Sequence, residues 1–225
     1  NRSEGRNDTS ITGWALLSLK AAETAGVTIP RTAWLRMIHH FKRMTPDDGR
    51  TYYADEATFG PPSQGAGMIA TSLLARVLLG ESVDTPLVRR QIDLMLESLP
   101  DPAVRNTRDS NFYTWYAGSL AMFFVGGDDW RNWNLAVRPA LVRLQNTTGQ
   151  RRGSWETDSE WGETGGRIYT TAINTLTLQI YYRYRPSAYR RAAREVAPFW
   201  DDNRLYSVLG QELLEIRPLP WSQNR

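Results

Sequence analysis

Residues 113–125 read YTWYAGSLAMFFV, and Gly126 and Gly127 follow them directly. The stretch is apolar over several helical turns without strand-like alternation, so it predicts a buried α-helix. The two glycines predict the end of that helix. The next residues, Asp129–Gln145, are amphipathic and carry arginines. They predict a second helix that packs on the outer side of the first.

The same pair of helices recurs about every 50 residues along the chain. In each pair the first helix is more apolar and richer in small residues, which predicts an inner position, and the second carries the arginines. The predicted pairs are Ser10–Ala25 with a helix around Trp34, Met68–Leu79 with Leu87–Leu99, Tyr113–Val125 with Asp129–Gln145, and Tyr169–Tyr184 with Ser187–Trp200. We therefore expect an all-α fold of about four helical hairpins in two concentric layers, forming a partial or complete α/α toroid.

The chain divides into one large domain and a tail. The repeats predict a toroid domain over residues 1–203, and residues 204–225 are expected to pack on it or extend from it with at most a short helix. Three connections, residues 45–64, 101–111 and 146–167, are long and rich in polar and aromatic residues. Because long loops usually have a role, we expect them to contribute to a site.

Composition excludes several kinds of site and partner. The 225 residues include no cysteine, which excludes disulfides, thiolate metal sites and cysteine nucleophiles. The net charge is only +3, and acidic residues alternate with the arginines, so a nucleic acid partner is not expected. No apolar run reaches the roughly 18 residues of a membrane span, and no targeting segment is visible.

Several motifs resemble those of a known superfamily. Gln145, followed by Gly153, Ser154 and Trp155, resembles the Q-x3-G-x-W repeat of squalene-hopene and oxidosqualene cyclases, with a longer insert. The stretches DTSITGWALLSLKAA and GRIYTTAINTLTLQIYYRY resemble inner-helix repeats of the wider cyclase and protein-prenyltransferase superfamily. Squalene-cyclase-like proteins of bacteria such as planctomycetes are the more similar group. The resemblance covers about residues 7–186 and implies the α-toroid fold, but it implies less about activity.

The catalytic features of these families are missing from the sequence. Class II cyclases protonate an alkene with a D-x-D-D aspartate, and no such motif is present. The zinc site of protein prenyltransferases needs a cysteine. His39 and His40 are adjacent on a predicted helix and point about 100° apart, so they are poorly placed to share one metal ion. We therefore expect no metal and no cofactor, and the residues favour a module without catalytic activity.

Aromatic residues are the main candidates for ligand binding. Most of them lie at the starts of predicted inner helices, where a toroid has the mouth of its central cavity, and others lie in the long loops. Such a surface suits an apolar, peptide or carbohydrate ligand. The candidate residues are Trp14, Tyr53, Tyr113, Trp115, Tyr116, Trp155, Glu156, Trp161 and Tyr169.

Three functions are compatible with this pattern. The first is a binding or scaffold module with an aromatic central cavity. The second is a terpene-cyclase-like isomerase whose catalytic acid lies outside this chain. The third is a carbohydrate-active toroid that uses paired carboxylates, for which the candidates are Asp55, Glu56, Glu156, Asp158, Glu160 and Glu163.

Overall fold

The computed structural model describes residues 8–54 and 65–215. Within these ranges the protein has nine α-helices and no strand, so the all-α prediction is confirmed. The α-helices are α1 Thr9–Thr24, α2 Arg31–Met44, α3 Ala66–Leu78, α4 Pro86–Glu97, α5 Phe112–Val125, α6 Gly127–Leu144, α7 Gly162–Arg183, α8 Arg190–Val196 and α9 Asp202–Glu215.

Polar residues and glycines set several of the helix ends. The Asp8 side chain accepts a hydrogen bond from the Ile11 amide, 3.0 Å away, and caps α1. The Asn111 side chain caps α5 in the same way through the Thr114 amide at 2.8 Å. Gly126 ends α5 with a φ of 80°, a conformation that glycine adopts without strain.

The more apolar helices α1, α3, α5 and α7 pack side by side in chain order. Helices α3 and α5 are buried on nearly all faces, as the apolar sequence of each predicts. Helices α2, α4 and α6 bury one face only, and each packs against the apolar helix that precedes it. These contacts form three successive helical hairpins.

Small residues allow the helices of a hairpin to approach closely. An added Cβ at Gly118 of α5 would lie 2.6 Å from Cζ2 of Trp133 in α6. The Trp133 side chain is fully buried, and its Nε1 donates a hydrogen bond to Ser119 Oγ at 2.9 Å. The absence of a side chain at Gly118 therefore makes room for the largest ring between α5 and α6.

The element from Gln145 to Trp155 fastens a loop to the end of α6. Gln145 Nε2 donates to the Gly153 carbonyl at 3.0 Å, and the Asn146 amide donates to the Ser154 carbonyl at 2.8 Å. Trp155 is 1% exposed, and its Nε1 donates to the Leu141 carbonyl at 2.9 Å. The motif thus closes the connection that leads back to α7.

The predicted fourth hairpin is not formed as expected. Residues 187–200 were predicted as one helix paired with α7, but they form the short helix α8 between two 3-10 segments. Helix α8 packs against α2 and α3, and the 3-10 segment Pro186–Tyr189 contacts α1. Pro186 and Pro198 interrupt the helical pattern, and the apolar surface of the first two hairpins provides the packing partner.

Residues 204–215 are more helical than predicted. They belong to α9, a 14-residue helix that packs on α2 and buries the side chains of Leu205 and Leu209. Along the described part of the chain, no helix is long and apolar enough to cross a membrane.

Candidate functional site

A cleft of about 420 Å³ lies where the N-terminal turns of α1, α3, α5 and α7 meet. Such a volume is within the roughly 300–1,000 Å³ of small-molecule sites. Five aromatic side chains form much of its lining: Trp14, Tyr53, Tyr113, Trp161 and Tyr169. We call this site the aromatic cleft. Four apolar helices thus each contribute a first or second turn to one site.

Two of these rings have large faces open to solvent. Trp14 is 45% exposed and Trp161 is 52% exposed. The Trp14 ring lies 6.4 Å from the ring of Tyr113, centroid to centroid, at a tilt of 53°. Its indole also stacks on buried Tyr116, with an interplanar angle of 18°. Trp14 is therefore held in place while it presents aromatic surface to the cleft.

Two glycines make room for the tyrosine rings. An added Cβ at Gly67 would lie 3.0 Å from Cδ1 of Tyr113, and one at Gly165 would lie 2.6 Å from Cγ of Tyr169. Both glycines line the cleft. Any larger residue at Gly165 would displace the Tyr169 ring, so the shape of the cleft depends on these positions.

Tyr53 is positioned by the start of α1. The Thr9 amide donates to the Tyr53 carbonyl at 2.9 Å, and Thr9 Oγ1 donates to the Tyr52 carbonyl at 2.7 Å. The Tyr53 hydroxyl bonds to the carboxylate of Asp8. Burial raises the pKa of Asp8, but hydrogen bonds from Ser10, the Ile11 amide and Tyr53 outweigh burial and bring it below its usual value.

The hydroxyls of Tyr113 and Tyr169 stay protonated at neutral pH. Burial raises the pKa of Tyr169 to about 12, with smaller contributions from Tyr113 and Glu160. Burial also raises the pKa of Tyr113, whose hydroxyl lies 3.2 Å from Thr71 Oγ1. Thr71 Oγ1 donates to the Gly67 carbonyl at 2.8 Å, so the Tyr113 hydroxyl is the donor in that contact, whereas the Tyr169 hydroxyl can donate a hydrogen bond to a bound molecule.

An amide and a carboxylate add polar groups to the lining. Asn111, which caps α5, donates from Nδ2 to Oε2 of Glu160. Both residues line the cleft with Ser10 and Thr164. From the sequence, Glu160 is a candidate only as a hydrolytic carboxylate, and Asn111 is not among the predicted site residues. The position of Asn111 directly before an apolar helix indicates an N-cap, and this is the one sequence feature that places it at the helix start where the cleft lies.

Three other aromatic candidates lie in the core. Tyr116 is buried beneath Trp14, and Trp115 is buried with its ring 5.6 Å from that of Phe112. Trp155 is the buried anchor of the loop after α6. These residues support the fold around the cleft and do not line it.

The candidate Glu156 lies in a polar cluster outside the cleft lining. Oε2 accepts a hydrogen bond from Arg167 Nη2 at 2.9 Å, and Oε1 accepts one from Asn146 Nδ2 at 3.1 Å. The bond from Arg167 is the main reason that the pKa of Glu156 is below its usual value. Asp158 pairs with Arg108 at 3.4 Å. Asp55 and Glu56 lie outside the described residues.

The two histidines have separate surroundings. His40 Nε2 lies 3.2 Å from Thr9 Oγ1, and the ring of His39 meets Tyr206 edge-on. Across residues 8–54 and 65–215, no group of three or more His, Asp or Glu side chains is arranged to hold a metal ion.

Comparison of the chain with protein-family models, curated proteins and solved structures gives no match. The geometry of the aromatic cleft therefore carries the functional argument.

Proposed function

We propose that the protein is a binding module that holds a small organic ligand in the aromatic cleft. The observation that carries this proposal is the convergence of five aromatic side chains with Asn111 and Glu160 in one cleft of about 420 Å³. Exposed indole faces in a concave site with few polar groups are typical of ligand sites. An apolar, peptide or carbohydrate ligand is compatible with such a lining.

We further propose that the helices form a squalene-cyclase-like α-toroid, with α1, α3, α5 and α7 as its inner layer. The side-by-side packing of these helices in chain order supports this arrangement. The return of residues 186–189 to α1 adds support, because it brings the chain after the last apolar helix back to the first. A crystal structure tests the arrangement: the four helices should surround a common axis.

Binding without catalysis is favoured by the polar groups of the cleft. Among the lining residues that the structure describes, Glu160 is the one carboxylate, whereas glycoside hydrolysis generally uses two. Glu156 is engaged by Arg167 and Asn146. The described lining also contains no aspartate that could protonate an alkene. These features favour a binding module over the carbohydrate-active and cyclase-like alternatives.

Titration of the protein with a panel of small molecules, monitored by tryptophan fluorescence, tests the proposal. We expect at least one compound to bind saturably, with an affinity that Trp14→Ala lowers about tenfold or more. The reason is that the Trp14 ring supplies much of the accessible aromatic surface. Tyr182→Ala is the control, because Tyr182 is also exposed and does not line the cleft. A panel whose binding is unchanged by Trp14→Ala would contradict the proposal.

A further inference from the structure

The two exposed indoles of the aromatic cleft are surrounded by hydrogen-bonding groups of both kinds. The hydroxyls of Thr164 and Tyr169 can donate or accept, the hydroxyl of Ser10 donates to Asp8 at 2.7 Å and can accept, and the carboxylate of Glu160 can only accept. Asn111 has one amide hydrogen directed to Glu160 and fixes the position of that carboxylate. The lining thus combines flat apolar faces with donors and acceptors at their edges.

A purely apolar ligand fits this lining poorly. It would cover the indole faces of Trp14 and Trp161 favourably, but it would also remove the Tyr169 hydroxyl and the Glu160 carboxylate, which accepts a hydrogen bond from Asn111, from water without replacing their hydrogen bonds to water. Burial of unpaired polar groups opposes binding, and most strongly for a charged group. The ligand should therefore carry several hydroxyl or similar groups.

Opposing electrostatic features disfavour a charged ligand. The carboxylate of Glu160 repels anions from the cleft. The N-terminal turns of α1, α3, α5 and α7 all face the same cleft, and the positive ends of helix dipoles disfavour cations. No lysine or arginine is present among the described lining residues to attract a phosphate group. These effects together select a neutral molecule.

We propose that the aromatic cleft binds a neutral saccharide, with a sugar ring stacked on one of the exposed indoles of Trp14 and Trp161 and in contact with the other. This inference rests on the proposed binding function and specifies its ligand class. The apolar C–H face of the ring covers an indole, and the ring hydroxyls bond to Glu160, Asn111 and the tyrosine hydroxyls at the edges. The interaction with the Glu160 carboxylate is charge-assisted and should be the strongest of the polar contacts.

Saturation-transfer NMR with the full chain tests this assignment. The probes are neutral saccharides (methyl glucoside, methyl galactoside, N-acetylglucosamine and cellobiose), the apolar alcohol farnesol, and the charged compounds choline and glucose phosphate. We expect saturation of ring C–H protons for at least one neutral saccharide, and weaker or no binding of farnesol, choline and the phosphate.

Matched variants connect the signal to the cleft. Trp161→Ala should abolish saccharide binding or weaken it at least about tenfold, and Glu160→Gln should weaken it about tenfold through loss of the charged acceptor. Glu97→Gln, a change on an exposed carboxylate of α4 outside the lining, should leave binding unchanged. Circular dichroism spectra that match the parent protein establish that each variant is folded.

The outcomes separate this inference from the proposed function. If farnesol or choline binds in a manner sensitive to Trp14→Ala and no saccharide does, the saccharide assignment is overturned and the binding function stands. If farnesol and saccharides bind equally well, the assignment is also overturned, because the polar edges then contribute no selectivity. If no probe binds in a manner sensitive to Trp14→Ala, both proposals are overturned.

Discussion

The indole of Trp14 stacks on the ring of Tyr116 with centroids 5.8 Å apart and planes 18° from parallel. One ring belongs to α1 and is exposed in the cleft, and the other belongs to α5 and is buried in the core. The pair therefore connects the aromatic cleft to the buried core.

The two partners of this stack should contribute differently to stability. Tyr116→Ala should lower the free energy of unfolding by about 3–5 kcal/mol, because it leaves a cavity in the core. Trp14→Ala should lower it by only about 1 kcal/mol, since the half-exposed ring loses mainly the stacking interaction. Urea denaturation measures both values. Equal losses for the two variants would contradict the distinction between a cleft residue and a core residue.

Gly118 should tolerate no added methyl group. Gly118→Ala should destabilise the protein by about 1–3 kcal/mol, because the new Cβ would overlap the buried Trp133 ring. Gly210→Ala in α9 is the control, as an added Cβ there meets nothing within 4 Å. That control should stabilise the protein by about 0.5–1 kcal/mol through the better helix propensity of alanine. Thermal denaturation measures both variants, and their melting temperatures should shift in opposite directions.

Arg76 should be far more important for stability than an arginine on the surface. Its side chain is 2% exposed and donates to Glu81 at 2.6 Å, and its guanidinium lies 4.8 Å from the Trp200 ring. Arg76→Met should cost about 3–5 kcal/mol, because Glu81 loses its cationic partner in a mostly buried position. Arg90→Met, which removes the exposed pair with Glu97, should cost about 0–1 kcal/mol. Chemical denaturation measures the free energy of unfolding of both variants. Similar losses for Arg76→Met and Arg90→Met would contradict the importance of burial.

The ion pair of Glu156 and Arg167 should make stability depend on acid pH. Because the folded protein holds the pKa of Glu156 below its ordinary value, the stabilisation is present above that value, about 4.3, and is lost as the pH falls through the folded pKa. Glu156→Gln should therefore be less stable than the parent at neutral pH, with a difference that shrinks in acid. Arg167→Gln should give the same convergence, and unfolding curves between neutral and acid pH measure it. A difference that stays constant in acid would contradict the assignment.

The apolar helices could be predicted well from the sequence. The prediction of Tyr113–Val125 differs from α5 by one residue at its start, because the apolar run and the two glycines set both ends. The predicted start of the last apolar helix at Tyr169 lies two residues after Arg167, where α7 continues beyond the interruption at Gly166, but the first turn of α7 from Gly162 was not predicted. The glycine-rich residues before Arg167 suggested a loop, but they form a helical turn, and Gly166 with φ 69° interrupts the helix there.

The candidate site was harder to predict than the fold. The positions of Trp14, Tyr113 and Tyr169 near helix starts predict a shared surface, and the structure brings these three residues together in the cleft. The aromatic character of Trp155 favours the same assignment, but Trp155 lies in the core. Aromatic side chains serve cores and binding sites equally well, so composition alone does not separate the two uses. Tertiary packing decides between them.

The return of the chain to its first hairpins has a consequence for how the molecule unfolds. Trp200 Nε1 donates to the Leu79 carbonyl at 3.2 Å, and Lys42 Nζ donates to the Trp200 carbonyl at 2.5 Å. Repeat proteins with contacts only between neighbours can lose their end repeats one at a time. Here the opening of the first hairpins also breaks the contacts of Trp200. Unfolding should therefore be one cooperative transition, and folding should be slowed by the need to close this long loop.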